Sequence, residues 1–461
     1  MRGPPSGLAQ NVVAERPDGL AWYRDLGLLE RVVEHAGELS PERLEECHAY
    51  LWHLAGFVAP GGALPATFEV LVREIFGELV EPGAAPAPRV GQGDRCRVAV
   101  VIACKNGAAT IGRTVACAIE EADVFVVSDG STDDTAAEAQ RAGAWVLELP
   151  ESVGKPNALR AAAATFSLPE TYEYIAVMDD DTIVAPGYLE RLVERMDAEP
   201  RIAVASGRIE SEWDDTRRWN PLIAMRAFMY WSYQATMKRG QNALRAVNVI
   251  CGANSVFRAD VFALLTHHDA PYAVDDMYWM AEVARRGIGR VEYVHDARSW
   301  TIDPHRFGDW YRQTVRWSWG QFQSIRGHRL GLPVRRDPSR RLGVRFSWFD
   351  LAYLLVLVDW AGYALEPLLL APLALWLRGW VDPLWFLVFY VGTNVAWIVV
   401  AATALRKPRL VALAPALLAL DLVYRVTMLH AALKTIRKPR VESCRWDSPA
   451  RFELDQAGRA A

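Results

Sequence analysis

Three consecutive carboxylates, Asp179, Asp180 and Asp181, follow the apolar run Tyr174-Ile-Ala-Val-Met178. An apolar run of this length bounded by polar residues reads as a buried strand. Carboxylates crowded at its C-terminal end repel one another unless a cation sits among them. Hard cations such as Mg²⁺ and Mn²⁺ take carboxylate oxygens and often share a substrate phosphate. The stretch therefore predicts a strand that delivers a metal–phosphate site, with Asp179 and Asp181 placed to hold the ion. A solvated acidic turn is the competing reading.

Other residues fit the same chemistry. Asp129 lies in the Gly/Ser/Thr-rich stretch Ser128-Asp-Gly-Ser-Thr-Asp-Asp-Thr135, where a carboxylate can accept from a base N–H or a ribose hydroxyl. Lys155, in Gly154-Lys-Pro-Asn-Ala158, is placed to reach a nucleotide or phosphate. Further on, Gln313-x-x-Arg316-Trp317 puts an amide, a guanidinium and an indole on one helix face. Arginine can neutralise a leaving diphosphate bidentately, and an indole offers a flat wall to a sugar. A Trp-rich amphipathic helix lying at a membrane surface is the plainer account of that stretch, and it is compatible with the first.

The elements that must position these groups alternate. Val98–Ala103, Val124–Val127, Trp145–Leu149 and the acidic stretch read as strands, separated by helical patterns over 109–122, up to Ala142, and over 155–165. Strand–helix alternation implies βαβ units, an α/β class and a mostly parallel sheet. In such sheets ligands bind beyond the carboxyl ends of the strands, which is where the acids and Lys155 fall. No GxGxxG follows the first strand and no GxxxxGK[ST] is present, so a Rossmann dinucleotide site and a P-loop are both disfavoured.

Asn106, Ser128-Asp-Gly-Ser-Thr-Asp-Asp-Thr135, Gly154-Lys155-x-x-Ala158 and Met178-Asp-Asp-Asp-Thr182, in this order, resemble the nucleotide-sugar half of family-2 inverting glycosyltransferases. The resemblance extends to membrane polysaccharide synthases of the cellulose, chitin and hyaluronan synthase type, through Gln313-x-x-Arg316-Trp317 and the closing Arg445-Trp446. It implies a GT-A-type nucleotide-sugar-binding domain, a UDP-sugar donor (UDP-glucose or UDP-N-acetylglucosamine class) and a Mg²⁺ or Mn²⁺ ion. On it, Asp129 and Lys155 hold the nucleotide, Asp179 and Asp181 form the metal motif, and Asp180 is a spectator. Cys251-Gly-Ala-Asn-Ser-Val-Phe-Arg258 resembles the family's acceptor-side turn, and Val274-Asp275-Asp276 stands where a Thr-Glu-Asp-like triplet is expected. Inverting transfer needs one base for the acceptor hydroxyl proton. Asp276 is assigned that role, with Asp275 the neighbouring candidate, and a helix N-cap pair is the structural alternative.

Length and composition bound the rest. A chain of 461 residues suggests about two to four domains. A net charge of −4 supports no nucleic-acid partner, and six cysteines without metal-ligand spacing read as reduced thiols. Residues 1–94 read as a helical module and linker without a signal peptide, 95–345 as the glycosyltransferase domain with interfacial helices, 346–435 as transmembrane and 436–461 as a cytoplasmic tail. Arg335, Arg336, Arg340, Arg341 and Arg345 place the catalytic domain on the cytoplasmic side of a bacterial inner membrane. Apolar segments 349–377, 384–405 and 410–433 predict a multi-pass arrangement, and Asp421–Arg425 is spaced to pair. The expected function is processive β-glycan synthesis from a UDP-sugar, with the bilayer and a growing glycan as partners and homo-oligomerisation open. The alternatives are single addition to a lipid or protein acceptor, and a catalytically inert membrane scaffold or transporter.

Overall fold

The computed structural model describes residues 97–213, 216–267, 270–331, 334–335, 344–345, 350–363 apart from 352, 356 and 359, residue 376, and 383–440. The helical module expected over 1–94 lies outside the described residues, as do the tail from 441 and most of the apolar segment 349–377. The chain divides into two compact units, 1–95 with 262–268 and 96–261 with 269–461. The second carries the elements that follow.

Eight strands form one sheet: β1 (Val98–Cys104), β2 (Asp123–Asp129), β3 (Trp145–Leu149), β4 (Tyr174–Met178), β5 (Ile183–Val184), β6 (Ile202–Ser211), β7 (Asn254–Arg258) and β8 (Arg290–Thr301). Their order is β3-β2-β1-β4-β7-β6-β8-β5. The β1–β2, β2–β3, β1–β4 and β6–β8 pairings are parallel; β4–β7, β6–β7 and β5–β8 are antiparallel. The sheet is thus mostly parallel, as expected. Every residue of β1 and β4 is buried, which explains their unbroken apolar runs: both sheet faces are covered, so no polar alternation is called for.

Helices α1 (Ile111–Ala118), α2 (Thr135–Arg141) and α3 (Lys155–Thr165) alternate with the first strands. The third strand and third helix have the expected bounds, and the first helix is shorter than the pattern over 109–122. The acidic stretch divides: β4 stops at Met178, and the three carboxylates occupy the turn before β5. Register fixes what meets that turn. Met178 pairs with Asn254 across the antiparallel β4–β7 contact, so the Cys251–Asn254 loop enters β7 beside the end of β4, and Asp179 N donates to Ala253 O at 3.3 Å.

Helix α4 (Pro221–Ser232) begins at an Asn220 cap, whose side chain accepts from Leu222 N and Ile223 N. Leu222 to Ala227 are buried, so the first half of this helix is core rather than surface. Helix α5 (Asp275–Arg286) packs on α6 (Phe307–His328). Helix α7 (Pro383–Ala404) coincides with the second apolar segment, and α8 (Ala414–Arg437) with most of the third. Among the described residues α8 is the one helix long and apolar enough to cross a membrane by length and composition. Its Asp421–Arg425 pair forms, with Nε 3.0 Å from Oδ2.

The α5–α6 contact depends on Gly320. A Cβ there would lie 2.6 Å from Val274 Cγ2 and 3.1 Å from Val274 N, while Gln323 Oε1 accepts from Ala273 N at 2.8 Å. Gly320→Ala should gain about 1 kcal/mol of helix propensity but overpack at a cost of about 1–3 kcal/mol. The expected outcome is a lower thermal unfolding midpoint; a raised midpoint would mean that Val274 yields without penalty.

Candidate active site

Lys155 opens α3 at the carboxyl edge of the sheet. Its side chain is 13% exposed. Nζ donates to Asp179 Oδ1, and to Gly252 O at 3.1 Å. Gly252 N in turn donates to Asp276 Oδ2 at 3.0 Å. The backbone of one residue thus bridges the lysine and the acid, and a Cβ at Gly252 would lie 2.9 Å from Asp276 Oδ2. Burial works against the lysine's charge, but Asp179, Asp275 and Asp276 outweigh it and its pKa is raised.

Asp275 and Asp276 are the first two residues of α5, and the N-cap position falls to Val274. They stand one and two residues inside the cap, where negative charge suits the helix dipole. Asp275 Oδ2 and Asp276 Oδ1 are buried without a hydrogen-bond partner among the described residues. Burial first, and the charge of Asp275 second, raise Asp276 to about 7, against the opposing pull of Lys155 and the N–H groups of Gly252 and Met277. A buried carboxylate that titrates near neutrality, with an unsatisfied oxygen, has the properties of a proton acceptor.

Asp129 is fully buried at the end of β2. It accepts from Ser152 Oγ at 2.9 Å, Val153 N at 2.7 Å and Gly154 N at 2.9 Å. These bonds use three of the roughly four acceptor sites of a carboxylate. Its visible work is to fold the 152–154 loop onto the strand end and so to place Lys155; little capacity remains for the nucleotide contact expected of it.

The three carboxylates of the turn face different ways. Asp179, 35% exposed at its side chain, meets Lys155. Asp181 is 4% exposed, and its Oδ1 accepts from Thr301 Oγ1 at 3.2 Å. Asp180 is buried, its Oδ2 close against Gly107 and its carbonyl accepting from Thr114 Oγ1 at 2.9 Å. No cluster of three or more His, Cys, Asp or Glu side chains suited to a metal ion occurs among the described residues. Mg²⁺ commonly takes one or two protein carboxylates and completes its shell with water and substrate phosphates. Asp179 at the accessible side of the turn fits that mode, with Asp181 at its buried side.

On α6, Gln313, Arg316 and Trp317 are each half-buried. Gln313 Oε1 accepts from Arg226 Nη2 at 3.1 Å. The same guanidinium lies 4.3 Å over the Trp317 ring. Arg316 Nε is buried without a hydrogen-bond partner among the described residues. Arg226 on α4 and its partner Asp303 were not singled out in the sequence. The available signal was a lone arginine inside the apolar run Leu222-Ile-Ala-Met-Arg-Ala-Phe228.

The Asp276 geometry makes a pH prediction. The native state favours the protonated acid up to about 7, whereas the unfolded state ionises near 3.9. The stabilising contribution is therefore full below about pH 4 and is lost as pH rises towards 7. Asp276→Asn, neutral throughout, should show a flatter unfolding midpoint between pH 4 and 8 than wild type. An unchanged slope would assign the titration to another group.

The glycosyl transferase family 2 sequence model matches residues 99–265. Poly-beta-1,6-N-acetyl-D-glucosamine synthase of Staphylococcus aureus is 27% identical over 236 residues, which cover 48% of this chain and 54% of that protein. The synthase of the same name from Staphylococcus epidermidis is 25% identical over 238 residues. The chain therefore spans about half the length of the curated relatives it matches. Among solved structures, the mannosyltransferase PcManGT from Pyrobaculum calidifontis, in complex with GDP-Man and Mn²⁺, is 18% identical with a TM-score of 0.48, covering 74% of this chain and 88% of that one. Glucosyl-3-phosphoglycerate synthase from Mycobacterium tuberculosis, with Mn²⁺, UDP-glucose and phosphoglyceric acid, is 19% identical with a TM-score of 0.34, covering 54% and 86%. The strand–helix order, the mostly parallel sheet with its acids at the strand ends, and the matched sequence model agree: residues 99–265 carry a family 2 glycosyl transferase domain of GT-A-like fold.

Proposed function

We propose that the chain is an inverting, membrane-attached polysaccharide synthase that transfers a sugar from a UDP-sugar to the end of a growing β-glycan. The observation that carries this reading is the relay from Asp179 through Lys155 and the Gly252 backbone to Asp276. It links a strand-end carboxylate, suited to a diphosphate-bound cation, to a buried acid with an unsatisfied oxygen. The name shared by the staphylococcal relatives makes UDP-N-acetylglucosamine the first donor to try.

Asp276 takes the proton of the acceptor hydroxyl as its oxygen forms a bond to the donor's anomeric carbon. The bond from that carbon to the diphosphate oxygen breaks, and its electron pair leaves with UDP. Asp179 and Asp181 would hold the Mg²⁺ or Mn²⁺ ion, which when bound supplies positive charge to the diphosphate. Lys155 orients Asp179 and adds its own charge, Asp129 shapes the loop that places Lys155, and Arg316 offers a guanidinium to the leaving phosphates. Gln313 and Trp317 line the acceptor side.

The membrane reading rests on the apolar surfaces of α7 and α8. Leu384, Trp385 and Phe389 on the first, and Leu422, Val426, Leu429, Leu433 and Ile436 on the second, are exposed, and contiguous exposed apolar surface marks a contact with lipid or protein. On this reading residues 95–345 are the catalytic domain at the cytoplasmic face of a multi-pass bacterial inner-membrane protein, with 346–435 as its membrane region.

Asp276→Asn should lower transfer by about 10²-fold or more while UDP binding persists. If Asp275→Asn loses turnover and Asp276→Asn keeps it, the base is the earlier residue. Asp181→Asn and chelation of divalent ions should each weaken UDP binding, read by calorimetry. Products resolved by size should form a ladder; a single addition would move the reading to a lipid or protein acceptor, and no turnover across a UDP-sugar panel would remove it.

A further inference from the structure

We propose that Arg226 is a positioning residue that fixes how Gln313 and Trp317 are presented to the acceptor, and that the buried pair it forms with Asp303 holds it in place. The inference rests on α6 being the acceptor side of a glycosyltransferase site. Arg226 is 1% exposed and Asp303 2%. Arg226 Nε lies 3.8 Å from Asp303 Oδ1. Asp303 is itself held by Tyr230 Oη at 3.0 Å and Ser211 Oγ at 2.5 Å. Arg226 Nη2 donates to Gln313 Oε1 at 3.1 Å and Thr314 Oγ1 at 2.8 Å. Its guanidinium also lies over the rings of Trp317 and Trp310, at 4.3 Å and 5.3 Å.

Two consequences follow. Guanidinium has donors and no acceptor, so the oxygen of the Gln313 amide must face Arg226 and the NH₂ must face away. Gln313 therefore meets a ligand as a donor, suited to a sugar or phosphate oxygen. Arg226 also covers one face of Trp317, so any stacked sugar takes the opposite face. Stacking and donating at once require a planar fork, which lysine lacks. The surrounding run, Leu222 to Ala227, is buried and otherwise apolar, and an aliphatic side chain would fill this volume without burying a charge. Packing alone gives no reason for an arginine.

The test is a double-mutant cycle on full-length protein, with Arg226→Lys, Gln313→Ala and the double variant. It reads donor KM, kcat/KM for a β-linked N-acetylglucosamine oligosaccharide, and the thermal midpoint. Arg226→Lys should lower the acceptor kcat/KM by about tenfold, within the range of coupled neighbours, leave donor KM within about twofold, and cause a clearly smaller loss in the Gln313→Ala background, where only the Trp317 contact is left to lose. Equal losses in both backgrounds, or donor and acceptor parameters falling together with the thermal midpoint, would overturn the role. If Arg226→Lys does not fold, Asp303→Asn carries the same cycle with the same two outcomes. A wild type that transfers no sugar overturns the underlying reading; additive losses in an active wild type overturn only the part assigned to Arg226.

Discussion

The site depends on one buried ammonium. Lys155 lies in the field of Asp179, Asp275 and Asp276, three acids from two distant parts of the chain. Without a cation among them their mutual repulsion would oppose bringing the first turn of α5 and the turn after β4 to the same Gly252 loop. Gly252 makes the arrangement specific. Its carbonyl takes the lysine and its N–H takes Asp276, and the absence of a side chain lets the acid come close. The lysine thereby neutralises the crowd while leaving one oxygen on each of Asp275 and Asp276 unsatisfied.

Helix α6 carries the complementary half. Its middle packs against Val274 through Gly320 and bonds Ala273 through Gln323, so it sets the N-terminal turn of α5, where the two acids stand. Its first half takes the Arg226 contacts. Its other side meets α8: Lys434 Nζ lies 3.8 Å over the Trp319 ring, and Arg326 donates to Thr435 O at 3.1 Å. One helix therefore contacts both α8 and the turn that carries the acids.

The fold was largely legible because its signals are local. Strands buried on both faces appear as unbroken apolar runs, and the alternation of such runs with helical patterns implies the mostly parallel sheet. Lys155, Asp179, Asp275 and Asp276 could be singled out from residue type and place in the chain, although helix-end carboxylates also have structural uses. Other parts were not legible. The bonds that tie Asp129 to the 152–154 loop could not be read from its own stretch. The spacing of Asp179 and Asp181 did not show that the first meets Lys155 and the second Thr301. Arg226 gave no sign of its role in the apolar run that holds it, since its partners come from α6 and the segment after β8.

What the sequence by itself determined is the set of local elements, the acids at their ends and the helix that carries Gln313, Arg316 and Trp317. Periodicity, burial and residue type are properties of neighbours along the chain, and they can be read there. Only the tertiary structure decided which carboxylate meets the lysine, which acid is left with an unsatisfied oxygen near neutral pKa, and which arginine aims the glutamine. Each of those outcomes depends on antiparallel register, on a close approach at glycine, or on a charge buried opposite its partner. These are relations between residues far apart in the chain, and no local pattern records them.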